Sequence, residues 1–148
     1  MPRNGSYRSS SRNGEQGFTL IELLVVILII GVLAAIALPL FLNQRTKAQD
    51  TQAKSALRTA AEAIEVFHQE NNTFAGADAV ALRRIEPALA EARNLGVVGT
   101  DAGYTLTAES ASGSQGGGPF TLRHMLGAPT ERTCSVAGRG GCSAAGRW

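Results

Sequence analysis

Gly17-Phe18-Thr19-Leu20-Ile21-Glu22 runs straight into Leu23-Leu24-Val25-Val26-Ile27-Leu28-Ile29-Ile30-Gly31, and the reading of the whole chain turns on this string. Between Phe18 and Leu42 the only charged residue is Glu22. As a helix this segment would measure about 37 Å, enough to cross a hydrocarbon core of about 30 Å. A carboxylate in that setting costs about 2.5–3.5 kcal/mol at mid-membrane and less near the helix end. A sequence that keeps Glu22 there needs a partner for it. The segment is therefore a membrane anchor, a secretory signal, or an assembly helix that uses the membrane first.

Upstream, residues 1–17 hold Arg3, Arg8 and Arg12 against Glu15 and are otherwise rich in Ser, Gly and Asn. This stretch is expected to be a disordered leader that stays in the cytoplasm. Arg45, Lys47, Lys54 and Arg58 follow the apolar segment closely, so the balance of flanking positive charge does not by itself set an orientation. The 148 residues leave room for one domain. Of 14 Lys plus Arg and 12 Asp plus Glu, three and one fall in the leader, leaving 11 of each sign. A balanced chain of this kind gives no electrostatic footprint for nucleic acid, and its low net charge favours self-association.

Past Leu42 the helical period continues into polar sequence. Ala53, Leu57, Ala60, Ile64 and Phe67 recur at spacings of three and four, one buried stripe on a surface helix. Asp50 and Lys54, a turn apart, can pair. Asn71-Asn72 and Gly76 end the element, giving a helix from 18 to about 70, near 80 Å if continuous. Within it, Pro39 removes a backbone hydrogen bond and predicts a bend or a loosened turn. Residues 78–94 read as short helices, with Asp78 an N-cap and Pro87 at a first turn. Tyr104–Ala108 and Phe120–His124 alternate as strands around a flexible loop at Ser112–Gly118, and Thr133–Val136 reads as a third strand. The fold class is α+β: a long helix whose apolar half protrudes and whose amphipathic half packs on a small antiparallel sheet.

Gly17-Phe18-Thr19-Leu20-Ile21-Glu22 and the apolar run behind it resemble the processing site of type IV prepilins and of type II secretion pseudopilins. That resemblance implies that a prepilin peptidase cuts between Gly17 and Phe18 and that the new terminal amine of Phe18 is N-methylated. The chain would then divide into a leader at 1–17, a transmembrane and filament-core helix at 18–42, and a pilin head at 43–148. Gly31 and Pro39 match glycine and proline of the family helix, which is locally unwound between them in assembled filaments. The resemblance also assigns Glu22 to an ion pair with the Phe18 amine of a neighbouring subunit. From the residues alone Thr19-x-x-Glu22 is a capping box, and the two roles are compatible. The implied product is a structural subunit, not an enzyme. It sits first in the cytoplasmic membrane with its N-terminus inside, and then in a helical homopolymer at the cell surface. Its partners are the prepilin peptidase and methyltransferase, the pilus or secretion assembly machinery, and membrane lipid.

Cys134 and Cys142 enclose a Gly-rich loop, and in an exported protein they are expected to form a disulfide, with a structural zinc site as the rival reading. The pair resembles the disulfide-bounded region near the carboxyl end of many pilins. No metal or cofactor is otherwise expected. His68 and His124 stand singly, without ligand-spaced neighbours, and Gly138-Arg139-Gly140-Gly141 lacks the strand-to-helix context of a phosphate loop. Asn71-Asn72-Thr73 matches a glycosylation sequon by form alone. No nucleophile, base and orienter assemble from the sequence.

Three other readings stay open. An ordinary secretory signal could end at Ala35-Ile36-Ala37, although Glu22 and the helical period past Pro39 speak against it. A type II secretion pseudopilin would work inside the envelope; heads of that class more often bind calcium, and residues 101–148 show no acidic cluster for it. A DNA-uptake pilin would call for grouped basic residues, of which Arg123, Arg132, Arg139 and Arg147 are the candidates.

Overall fold

Residues 17–148 are described by a computed structural model of the chain, and all of the expected leader at 1–17 except Gly17 lies outside the described residues. Helix α1 spans Leu20–Asn71, 52 residues with Pro39 inside. Its helical assignment is unbroken at both Gly31 and Pro39, so no loosened turn interrupts it at either residue. The element stops where expected: Asn72 turns into the left-handed region with φ 56°, and Gly76 follows with φ 83°. The chain divides into two compact units, one ending at Ala37 and one running Leu38–Trp148.

In the first unit, Glu22 and its cap Thr19 apart, the described helix surface is apolar. From Phe18 through Ile36 every Phe, Leu, Ile and Val side chain is exposed. The helix is long and apolar enough to cross a membrane, and none of its most apolar 18-residue window is buried.

In the second unit α1 turns one stripe inward. Ala53, Leu57, Ala60, Ala63 and Ile64 are buried there, and Phe67 is half-buried beside them. The small alanines let the sheet approach closely, while Leu57 and Ile64, both fully buried, contribute about 1.5–3 kcal/mol each. Asp78 caps α2 (Ala79–Ile85) by accepting from the Ala81 amide at 2.7 Å. A 3₁₀ turn follows at Pro87–Glu91, where proline sits in the first turn and loses no bond. Leu82 and Leu89 fill the core from these two pieces.

The sheet has four antiparallel strands in chain order: β1 (Gly96–Thr100), β2 (Gly103–Ala108), β3 (Phe120–Met125) and β4 (Glu131–Cys134). Leu106 pairs with Leu122 and Ala108 with Phe120, and these four face the helix stripe. Two strand expectations need correction. β1 was not foreseen: Gly96-Val97-Val98-Gly99-Thr100 carries two glycines and only a pair of valines, yet the two-residue turn at Asp101-Ala102 folds it onto β2. Gly99 is required there because a side chain would collide with the Phe74 carbonyl. The last strand lies at 131–134 instead of 133–136. Opposite it the chain turns at Gly118, φ 76°, so the ladder stops at Phe120–Cys134.

Candidate functional site

The segment expected to be processed is built from a helix start. Gly17, Phe18 and Thr19 precede α1 in non-helical conformation, and Phe18 is 86% exposed. Thr19 and Glu22 cap each other. The Glu22 amide donates to Thr19 Oγ1 at 3.2 Å, while the Thr19 amide and hydroxyl donate to Glu22 Oε2 at 3.0 and 2.9 Å. This reciprocal box satisfies donors that a helix start leaves open. Around Gly31 a side chain would meet nothing within 4 Å, so its smallness answers no contact inside the chain.

A second carboxylate organises the head. Asp50 is fully buried, three residues before Ala53 on the same stripe of α1. Ser112 Oγ donates to its Oδ1 at 2.6 Å, and the amides of Gly117 and Gly141 donate to Oδ2 at 2.9 and 2.8 Å. Ser110 supports Ser112 through a 2.7 Å hydroxyl contact. Burial alone would raise the Asp50 pKa, but the bonds from Ser110, Ser112, Gly141 and Gly117 prevail and hold it below the ordinary value. Lys54 does not serve as a simple ion-pair partner. Its ammonium donates to the Gly141 carbonyl and lies 5.2 Å from the centre of the Phe120 ring. Desolvation lowers the Lys54 pKa, with Asp50 opposing and Arg58 adding to the shift.

The loop expected to be flexible at 112–118 is therefore pinned, with a 3₁₀ turn at Gly113–Gln115 and Gly116 and Gly117 buried. A β-carbon on Gly116 would lie 2.4 Å from the Asp50 carboxylate, and one on Gly140 would lie 2.1 Å from it. Gly140 also has φ 53°, a backbone that favours glycine. The Gly138–Gly141 run thus turns the cysteine loop and also delivers an amide to Asp50. Cys134 and Cys142 form a disulfide with Cα atoms 5.9 Å apart, which removes them from the zinc reading.

The remaining candidates fall into separate places. His68 stacks on Phe74 at 4.2 Å, and His124 Nδ1 lies 3.1 Å from Thr130 Oγ1. Burial, with Glu65 nearby, pushes the Tyr104 phenol above its usual value. Among the described residues no three His, Cys, Asp or Glu side chains gather as a metal site. Of the late arginines, Arg132 and Arg147 line one surface hollow together with Glu131 and Trp148. Arg132 and Arg58 lie 5.7 and 5.8 Å from the centre of the Trp148 ring, and Arg139 donates to the Ser114 carbonyl. Arg147 bridges Thr133, and Arg123 faces Glu131 across the ladder. The Asp50 site was missed because its donors lie 62 to 91 residues away. The one available signal was a charge in step with an apolar stripe, in a chain holding two separate glycine runs.

A capped carboxylate behind Gly17-Phe18, an exposed helix long and apolar enough to cross a membrane, and a small α+β unit stand together in this chain. Residues 12–38 match the family described as the prokaryotic N-terminal methylation motif. The chain is 36% identical over 97 residues to the type IV wide pilus major component of Thermus thermophilus, covering 66% of each. It is 44% identical over 61 residues to the type IV major alpha-pilin of Moraxella bovis, covering 41% of this chain and 38% of that one. With the type II secretion system core protein G of Pseudomonas aeruginosa it shares 37% identity over 63 residues, covering 43% of this chain and 44% of that one. These matches span from under half to about two thirds of the curated relatives. No solved structure matches the chain. The chain carries the prokaryotic N-terminal methylation motif, and its relatives include type IV pilins and a type II secretion core protein.

Proposed function

We propose that this chain is a structural subunit of a type IV pilus-like filament. The observation that carries the reading is an exposed apolar helix with one carboxylate, Glu22, four residues behind a Gly-Phe bond. In this scheme residues 1–17 are the leader, 18–42 the membrane and filament-core helix, and 43–148 the head. A prepilin peptidase cuts after Gly17, and Phe18 is N-methylated. The helix waits in the cytoplasmic membrane with its N-terminus inside. It then leaves lipid for a core shared with other copies, where Glu22 meets the Phe18 amine of a neighbour. Lipid offers that carboxylate no counter-charge, so the pairing selects register. Gly31 and Pro39 give that helix its family-like points of local adjustment.

The relative from a type II secretion system favours a second reading, a pseudopilin confined to the envelope. One set of measurements separates the two. Mature protein should begin at Phe18 with one added methyl group, and Gly17→Val should keep the leader and abolish assembly. Shearing intact cells should release long thin filaments of the mature chain. Deleting the chain should remove those filaments and leave secreted enzymes unchanged. Lost secretion with filaments intact would assign the chain to secretion, and a mature mass starting near Leu38 would make it an ordinary secreted protein.

A further inference from the structure

The Gly141 peptide is gripped on both sides by α1. Its amide donates to Asp50 Oδ2 at 2.8 Å, and its carbonyl accepts from the Lys54 ammonium. The next residue, Cys142, is buried and bonded covalently to Cys134 at the end of β4. Asp50 Oδ2 also accepts from the amide of Gly117, which belongs to a different loop and approaches the β-carbon of Cys142 so closely that no side chain fits between them. One buried carboxylate thus ties two loops to the helix, and the disulfide closes one of them.

We infer that Asp50 and the Cys134–Cys142 disulfide form a single redox-coupled latch. With the disulfide formed, the 135–142 loop stays docked on α1. When it is reduced, that loop and the 112–117 loop loosen together. Reduction by a low-molecular-weight thiol takes two equivalents: the S–S bond breaks, each cysteine gains an electron and a proton, and the thiols leave as their own disulfide. The untethered 135–142 segment then regains chain entropy that the crosslink had removed. Holding Gly141 on Asp50 becomes harder, and losing it leaves a buried carboxylate short of a donor. Linkage makes the effect reciprocal: whatever the disulfide adds to docking on Asp50, Asp50 adds to the stability of the disulfide. The groups facing Asp50 are Ser110, Ser112 and the two glycine amides, with Lys54 as the nearby charge. This coupling does not depend on the filament reading.

The test uses the full chain in detergent. In glutathione redox buffers, Asp50→Ala should shift the dithiol–disulfide equilibrium toward the dithiol by about fivefold or more, because neither glycine amide then has a side-chain acceptor. A second measurement needs no substitution. Reducing the wild-type disulfide should speed hydrogen exchange of the Gly117 amide about tenfold or more, although Gly117 lies outside the crosslinked loop. The inference is overturned if Gly117 exchanges equally in the oxidised and reduced chain, or if Asp50→Ala titrates with the wild type.

Discussion

Glu22 sits in the apolar stretch of α1 and Asp50 on the buried stripe of its polar half, and the chain treats the two carboxylates differently. Asp50 is enclosed, with donors supplied by loops more than 60 residues away in sequence. Glu22 is served by Thr19 alone, within one helical turn, and all around it the surface is exposed and apolar. A buried charge with internal partners serves the fold. A charge with a local cap, on a surface that water does not favour, fits the proposed pairing with a partner outside the chain. Under that proposal the difference separates an architectural carboxylate from an assembling one.

Three measurements test that contrast, from the largest expected effect downward. Glu22→Leu should reduce filament yield about tenfold or more while membrane insertion holds or improves, since a charge leaves lipid. The melting temperature of the head should not change. Normal filament yield would reduce Glu22 to a helix cap. Asp50→Ala should do the reverse, lowering stability by about 2–4 kcal/mol because two buried amides lose their acceptor at about 1–3 kcal/mol each. Thermal unfolding followed by circular dichroism reads this directly, and an unchanged transition would remove Asp50 from the frame.

The smallest effect is a pH dependence with a defined sign. The folded-state pKa of Asp50 lies below the ordinary 3.8. Its stabilisation is therefore complete above that value and is lost as pH falls through the lower folded-state value. Between pH 5 and pH 2 the urea midpoint should fall less steeply in Asp50→Asn than in wild type. Parallel curves would show that Asp50 does not carry acid sensitivity.

Much of this was legible in the chain. The spacing of Ala53, Leu57, Ala60 and Ile64 located the packed side of α1 because helix period is a local property. Asp78 and Pro87 announced the two short pieces through their own backbone preferences. Tyr104–Ala108 and Phe120–His124 alternated visibly because one face of each is buried. β1 was not legible, since Val97 and Val98 between glycines have little strand preference of their own. What makes that run a strand is the ladder to β2 and the turn that delivers it. Thr19–Glu22 could be read as a cap because both partners lie within one turn. Asp50 was misread for the opposite reason. Lys54 is its sequence neighbour, while Ser112, Gly117 and Gly141 become neighbours only after the chain has folded.

The two glycine runs also divide the head's outer sequence into fixed and free letters. Gly116 and Gly140 stand against the Asp50 carboxylate and Gly117 against Cys142, where any side chain collides. Gly113 and Gly138, a few positions away on the same loops, have open space around them but φ of 55° and 75°, which favour glycine, so the outer positions are Ser114, Gln115, Ala137 and Arg139, all exposed. A lineage under pressure to change what its surroundings detect could rewrite those outer positions freely, provided it spares the inner glycines.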